Sequence, residues 1–168
     1  MSPECVAQSY EQLDPVWETR HYNTEISFRE SHCFDIASAQ GDACLVALGS
    51  NFHIETPGLP NRFETPPRGI LYRLCQASSF QKNVTPPLEC VVVPKWGGIY
   101  APHVDVFMDS EGKPMPKFQN AVLYAACPWG PAEDENGGEA RFKNEMREKM
   151  LNVLRICHKH EQSKLIIG

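Results

Sequence analysis

The sequence contains no long apolar run and does not begin like a secretory leader. No stretch approaches the ~18 consecutive apolar residues that a membrane-spanning helix requires. The first ten residues, MSPECVAQSY, contain neither a basic region nor an apolar region of the secretory type. These absences predict a protein without a membrane partner that is not exported by that route, so we expect a cytoplasmic or nuclear location.

Closely paired cysteines are also missing. The seven cysteines are odd in number and scattered, and none forms a C-x-x-C pair, which argues against a disulfide framework or a zinc ribbon. Cys157, His158 and His160 cluster near the end of a predicted helix. Residues two apart on a helix point roughly 200° away from one another, so capping of the helix end is favoured over metal binding. We expect no metal and no cofactor.

Positive charge is scarce for a nucleic-acid binder. The chain has 16 Lys and Arg against 21 Asp and Glu, a net charge of −5. Because nucleic-acid affinity comes largely from basic side chains that neutralise phosphates, this balance argues against general nucleic-acid binding. The 168 residues, 42% of them hydrophobic, fit one compact domain.

The start of the chain lacks a regular pattern. Residues 1–22 contain Pro3 and Pro15 among residues of mixed polarity. Chain ends of this kind commonly lie over the surface of a domain. We therefore predict an N-terminal extension over residues 1–22 and a single domain over residues 23–168.

Regular patterns begin after residue 23. Ile26 and Phe28 alternate with polar neighbours, as in a half-buried strand. Asp35 is then expected to cap a short helix over residues 36–40, which Gly41 ends. A strand followed by a helix is predicted.

Continuously apolar runs predict the buried strands. Residues 43–48 (ACLVAL) suit a central strand covered on both faces. A proline- and glycine-rich loop over residues 49–67 follows, and then a helix is predicted over residues 68–80. Three later apolar runs are predicted to be strands, at residues 91–93, 104–108 and 121–127.

The end of the chain predicts a long helix and a final strand. Apolar residues recur at helical spacing from Phe142 to Cys157, and the strand-like KLIIG follows at residues 164–168. This completes a strand–helix–strand unit of parallel, right-handed type, which places the chain in the α/β class. Because the last strand stops at Gly168, we expect a sheet that is incomplete at its C-terminal edge and a tendency to self-associate.

Three segments occur in an order that points to a known family. They are ACLVALGSNFHIETPG at residues 43–58, GGIYAPHVDVFMD at residues 97–109, and the last helix leading into KLIIG. In this order they resemble the microbial-type poly(ADP-ribose) glycohydrolase domain, a branch of the macrodomains. The resemblance implies a macrodomain-like three-layer α/β/α fold with a mixed, largely parallel central sheet.

The loop after the first buried strand keeps only part of the family's pattern. Asn51-Phe52 and Pro57-Gly58 match the family's Asn-Phe dipeptide and the start of its Pro-Gly-Gly-Gly loop. Leu59 and Pro60 stand in place of the remaining glycines, and Pro67-Arg68-Gly69 stand where the family has Gln-Glu-Glu. The resemblance therefore implies a degenerate member.

Two later motifs complete the comparison with the family pattern. The Tyr-Ser-Pro-x-Val-x-Val-Phe signature is matched from Tyr100 to Phe107, with alanine in place of serine. Of the family's last glycine-rich phosphate loop, this chain retains Gly168 alone. The resemblance implies a member that is truncated at its C-terminal end.

The missing glutamates determine the expected chemistry. Cleaving a ribose–ribose bond requires a carboxylic acid near the leaving oxygen, and a permanently charged arginine cannot supply one. No residue is therefore predicted to be catalytic. Glu55 and Glu64 lie in the same loop, so an active hydrolase that uses rearranged loop carboxylates stays an alternative.

The matched positions define a predicted ligand site. By resemblance its ligand is ADP-ribose, free or on an ADP-ribosylated protein, and a structural or interaction module without a ligand stays open as a further alternative. Arg62 and Arg73 would add positive charge, and His53 and His103 lie in neighbouring loops, although simple exposure to solvent is the favoured explanation for all four. An aromatic residue beside a strand is also common in a core. The predicted ligand-binding residues are Asn51, Phe52, Pro57, Gly58, Arg68, Tyr100 and Gly168.

Overall fold

The computed structural model describes residues 7–10, 12–14, 23–49, 54–55, 70–84, 90–91, 93–127 and 138–168. This part of the chain contains seven strands and four helices. In order they are β1 (Gln8–Tyr10), α1 (Cys33–Gln40), β2 (Cys44–Gly49), β3 (Ile54–Glu55), α2 (Ile70–Ala77), α3 (Phe80–Val84), β4 (Cys90–Val91), β5 (Gly98–Met108), β6 (Pro114–Ala126), α4 (Gly138–Lys159) and β7 (Leu165–Ile167).

A mixed five-stranded sheet forms the centre of the described structure. Its strand order is β1-β5-β6-β2-β7, and β2 pairs in parallel with β6 on one side and β7 on the other. The strand–helix–strand unit β6-α4-β7 is therefore parallel, as predicted. Strands β3 and β4 form a separate two-stranded sheet in which Ile54 pairs with Val91.

Helices cover both faces of the large sheet. Alternate residues of β2 point to opposite sides: Leu45 and Ala47 pack with α1, α2 and α3, whereas Cys44 and Val46 pack with α4. Because both faces of β2 are buried, its sequence is continuously apolar. The predicted α/β class, with a three-layer α/β/α arrangement, is confirmed.

Antiparallel pairing is more extensive than the sequence predicts. Strands β5 and β6 form a hairpin, and β1 adds to β5 in the antiparallel sense, so among the described strands parallel pairing occurs only between β2 and its neighbours β6 and β7. Asp109 closes the hairpin by accepting hydrogen bonds from the backbone amides of Glu111 and Lys113 at 2.9 and 2.8 Å. Gly112 supplies the positive φ of 82° in this turn.

The predicted strand around Ile26 and Phe28 is wrong. Residues 23–29 form no regular structure, and the side chains of Ile26 and Phe28 are 76% and 95% exposed. Alternation alone does not make a strand, because a strand also needs a neighbour with which to exchange backbone hydrogen bonds.

The first helix begins earlier than predicted. His32, not Asp35, is its N-cap: the His32 Nδ1 atom accepts from the amide of Phe34 at 3.3 Å. Asp35 lies in the first turn, where its carboxylate accepts from the hydroxyl of Ser110 at 2.9 Å. The predicted end at Gly41 is confirmed, with a φ of 60°.

The helix predicted over residues 68–80 is divided. Its first part, α2, ends at Ala77, and a second helix, α3, begins at Phe80. The amide of Phe80 donates to Ser78 Oγ at 3.2 Å. Ser79 explains the break, because its amide donates to Asp105 O of β5 at 2.8 Å instead of continuing the helix.

Part of the predicted N-terminal extension belongs to the sheet. Strand β1 pairs with β5, and Tyr10 is only 8% exposed. Farther along, the amide of Leu13 donates to Asn152 Oδ1 of α4 at 2.7 Å. Residues 7–10 and 12–14 are thus held against both β5 and α4.

Candidate functional site

Three parallel strands end side by side at one edge of the sheet. Gly49 at the end of β2 lies opposite Ala126 of β6, and its carbonyl accepts from the amide of Cys127 at 2.6 Å. On the other side, the carbonyl of Gly168 accepts from the amide of Leu48 at 3.3 Å. Ligands of open α/β sheets bind beyond the carboxyl ends of parallel strands. We name this edge the strand-end site and define it by Gly49, Cys127, Gly168 and Cys33.

Two glycines allow close packing at the strand-end site. A Cβ atom on Gly49 would lie within 3.0 Å of ring atoms of Tyr124, and one on Gly168 would lie 2.7 Å from Cys33 Cβ. These approaches are possible only without a side chain. The ends of β2 and β7 therefore pack tightly against Tyr124 and Cys33.

The start of α1 also lies at the strand-end site, because Cys33 is its first residue and adjoins Gly168. A helix N-terminus carries partial positive charge, which suits an anion, but the amides of Phe34, Asp35 and Ile36 already donate to His32. The Cys33 thiol lies 3.7 Å from His32 Nδ1, and burial raises its pKa, so the thiol stays neutral near neutral pH.

A buried lysine fixes the loop next to this edge. The side chain of Lys149 in α4 is fully buried, and its ammonium group donates to the carbonyls of Pro94, Lys95 and Gly97. The loop leads directly into β5 beside the end of β6. Burial raises the pKa of the Cys127 thiol, while the charge of Lys149 acts in the opposite direction.

Of the seven predicted ligand residues, Gly168 lies at the strand-end site and Tyr100 in the core. The Tyr100 ring is 3% exposed and stacks on His160 with a centroid distance of 3.7 Å and an angle of 9° between the planes. Its hydroxyl accepts from Gln162 Nε2 at 3.0 Å, and burial raises its pKa. Tyr100 therefore lies in the core, as the sequence also allowed.

Three of the other positions considered from the sequence fall within the described structure. Arg73 is exposed on α2, and His103 is exposed on β5, where its carbonyl accepts from Asn83 Nδ2 at 2.6 Å. Glu55 forms part of β3. Asn51, Phe52, Pro57, Gly58 and Arg68, together with His53, Arg62 and Glu64, lie outside the described residues.

Sequence reasoning did not identify Cys33 and Cys127 as neighbours of the site. Cys127 follows an apolar run, and the rule that ligands bind beyond parallel strands could have indicated it. Cys33 carries no comparable signal, because its contact with Gly168 joins residues far apart in sequence. Among the described residues no group of three His, Cys, Asp or Glu side chains is placed to hold a metal ion. None of the described helices is long and apolar enough to cross a membrane.

Solved poly(ADP-ribose) glycohydrolases have a similar fold. The Deinococcus radiodurans enzyme in complex with ADP-ribose superposes with a TM-score of 0.58 at 18% identity, over 79% of this chain and 57% of that one. The Thermomonospora curvata enzyme bound to the inhibitor ADP-HPD gives a TM-score of 0.55 at 18% identity, over 79% of this chain and 52% of that one. No family model and no curated protein matches the sequence.

This similarity establishes the macrodomain-like fold that the sequence motifs imply. It extends over most of this chain, which nevertheless spans less than two thirds of the length of those enzymes. At this level of identity the comparison concerns the fold, and the chemistry of the site has to be argued from the residues of this chain.

Proposed function

We propose that this chain binds ADP-ribose or a related nucleotide at the strand-end site and does not hydrolyse poly(ADP-ribose). The observation that carries the proposal is the side-by-side ending of β2, β6 and β7, with glycine at the ends of β2 and β7, in a fold shared with glycohydrolases solved with ADP-ribose. The two parts of the proposal, binding and the absence of catalysis, rest on different residues.

The geometry of the strand-end site favours a diphosphate ligand. Gly168 is exposed and has no side chain, so a phosphate group can approach the backbone at the end of β7. The N-terminus of α1 adds partial positive charge at Cys33. Each of these features favours an anionic ligand over a neutral one.

The absence of catalysis is proposed from the chemistry that glycoside cleavage requires. A general acid must lie within hydrogen-bond reach of the leaving oxygen. The described residues of the strand-end site are two glycines and two cysteines whose thiol pKa values are raised by burial. The family that this sequence resembles has paired glutamates at the positions of Arg68 and Gly69. Neither Arg68 nor Gly69 can donate a proton to the leaving oxygen.

Calorimetric titration with ADP-ribose tests the binding half of the proposal. We expect saturable binding of ADP-ribose to the intact chain. The variant Asn51→Ala is expected to bind about tenfold more weakly, because the loss of one well-formed hydrogen bond to a ligand has about this effect. Asn144→Ala, on the exposed surface of α4, is the matched control and is expected to bind normally. The absence of heat at high micromolar ADP-ribose would overturn the binding proposal.

Incubation with poly(ADP-ribose) tests the other half. The expected result is no release of ADP-ribose. Robust release that is lost in Glu55→Gln or Glu64→Gln would show instead that loop carboxylates serve as the general acid, and the proposal of a non-catalytic protein would be wrong.

A further inference from the structure

A segment with two large apolar side chains lies exposed before α1. Residues 24–29, named the Ile26 segment, alternate apolar and polar side chains like a strand, yet bond to no other strand within the described residues. Phe28 is 95% exposed and Ile26 76%. Two large apolar side chains so close together in full contact with water are costly, and burying them against a partner would be favourable.

The sheet has an edge that could accept such a segment. Strand β7 pairs with β2 on one side, and no described strand lies on its other side. The carbonyls of Lys164 and Gly168 accept hydrogen bonds from β2, and the amide of Gly168 donates to it. Because successive residues of a strand direct their amides to opposite neighbours, the backbone groups of Leu165 and Ile167 point to the open edge. Ile167 is also 50% exposed.

Position and charge match the Ile26 segment to this edge. Cys33 adjoins Gly168, so the segment approaches the sheet next to the end of β7. Glu25 lies in the segment, and Lys164 directly precedes β7. A register that sets Glu25 of one copy opposite Lys164 of the other pairs opposite charges, which favours the exchange.

We propose that two copies of this chain associate by exchanging these elements, the Ile26 segment of each copy adding as a strand to the β7 edge of the other. Within one copy the segment leaves Phe28 almost fully exposed, while a two-fold dimer would bury it twice. Reciprocal exchange also satisfies the outward backbone groups of Leu165 and Ile167 in both copies. The proposal is independent of ADP-ribose binding.

Light scattering coupled to size-exclusion chromatography, over a series of protein concentrations, tests the association. We expect a dimer for the intact chain and loss of the dimer in the double variant Ile26→Ser, Phe28→Ser. The double variant Phe107→Ser, Leu154→Ser changes two apolar residues that are 37% and 45% exposed elsewhere on the surface. This control is expected to remain dimeric, which distinguishes a defined interface from nonspecific hydrophobic association.

The β7 edge is tested by Ile167→Pro. Proline removes the outward amide of residue 167 without removing a hydrogen bond to β2, so dimerisation is expected to be lost while the monomer stays folded. Circular dichroism and a thermal melt check the fold. A second edge variant, Ile167→Lys, adds a charge instead and gives the same expected loss if proline disturbs folding.

Mixing the two kinds of variant gives the sharpest outcome. The segment variant keeps an intact β7 edge, and Ile167→Pro keeps an intact Ile26 segment, so a mixture restores one of the two exchanged contacts. We expect a heterodimer that forms more weakly than the original dimer. A monomeric intact chain at high concentration, a dimer that survives both variants, or a mixture that stays monomeric would each overturn the proposal.

Discussion

A Cβ atom on Gly49 would overlap the hydroxyl group of Tyr124 and lie within 3.0 Å of two of its ring carbons. Tyr124 is fully buried in β6, and Gly49 ends the neighbouring strand β2. The aromatic ring thus fills the space that a side chain at residue 49 would need, immediately next to the strand-end site.

Gly49→Ala should therefore destabilise the fold. Overpacking of this kind typically costs about 1–3 kcal/mol, because the ring cannot move without disturbing the core. Urea unfolding measures the change in the free energy of unfolding. The double variant Gly49→Ala, Tyr124→Leu should lose less stability than the sum of the losses of the two single variants. Strictly additive effects would show that the two residues do not compete for space.

Lys149→Met tests the buried ammonium group. The variant preserves the length of the side chain but leaves the carbonyls of Pro94, Lys95 and Gly97 without their donor. Because each unsatisfied buried carbonyl costs about 1–3 kcal/mol, we expect the variant to be among the most destabilised. Lys143→Met is the matched control: Lys143 is exposed on the same helix, and its ion pair with Glu139 is expected to contribute little. Equal effects of the two variants would contradict this role.

Asn120 is expected to lower the stability of the protein. Its side chain is buried, and neither its Nδ2 nor its Oδ1 atom has a hydrogen-bond partner. Asn120→Val removes both unsatisfied atoms in a strand that suits a β-branched residue, so we expect a gain of about 1 kcal/mol in the free energy of unfolding. Gln119→Val, on the exposed side of the same strand, should have a smaller effect. A clear loss of stability in Asn120→Val would indicate that the amide has a role that requires its polarity.

Protonation of His160 should weaken the fold at acidic pH. Burial, aided by the charge of Lys159, lowers the pKa of His160 below its ordinary value of 6.5. As the pH falls below about 6.5 the unfolded chain binds the proton first, so stability declines until the pH passes the lowered pKa of the folded state. Thermal melts above and below that pH measure the slope. The variant His160→Gln should reduce the dependence of stability on pH, whereas the control His158→Gln should leave it unchanged. An unchanged pH dependence in His160→Gln would show that His160 is not its cause.

The sequence predicts best those elements whose pattern reflects a single environment. Residues 43–48 are apolar throughout, because β2 is covered by helices on both faces, and its prediction is confirmed. The long helix α4 is also confirmed, with Val153 and Cys157 buried as its spacing predicts. The same helix, however, buries Lys149 and leaves Leu154 45% exposed. Specific hydrogen bonds to a distant loop decide the position of Lys149, and helical periodicity cannot reveal them.

The sequence predicts less well those elements that depend on distant partners. The Ile26 segment has the alternation of a strand but lacks a neighbour within the described residues, whereas β1 has little pattern and still pairs with β5. The strand-end site shows the same limit. Gly168 was predicted from its motif, but its contact with Cys33 depends on how α1 packs against β7. Tyr100 matches the family motif although its ring lies in the core against His160.

A mobility-shift experiment with end-labelled poly(ADP-ribose) of defined length tests the central proposal most directly. We expect a slower-moving complex whose polymer, recovered after digestion of the protein, has its original length. Polymer that is never retarded, or that is recovered shortened with release of ADP-ribose, would contradict it.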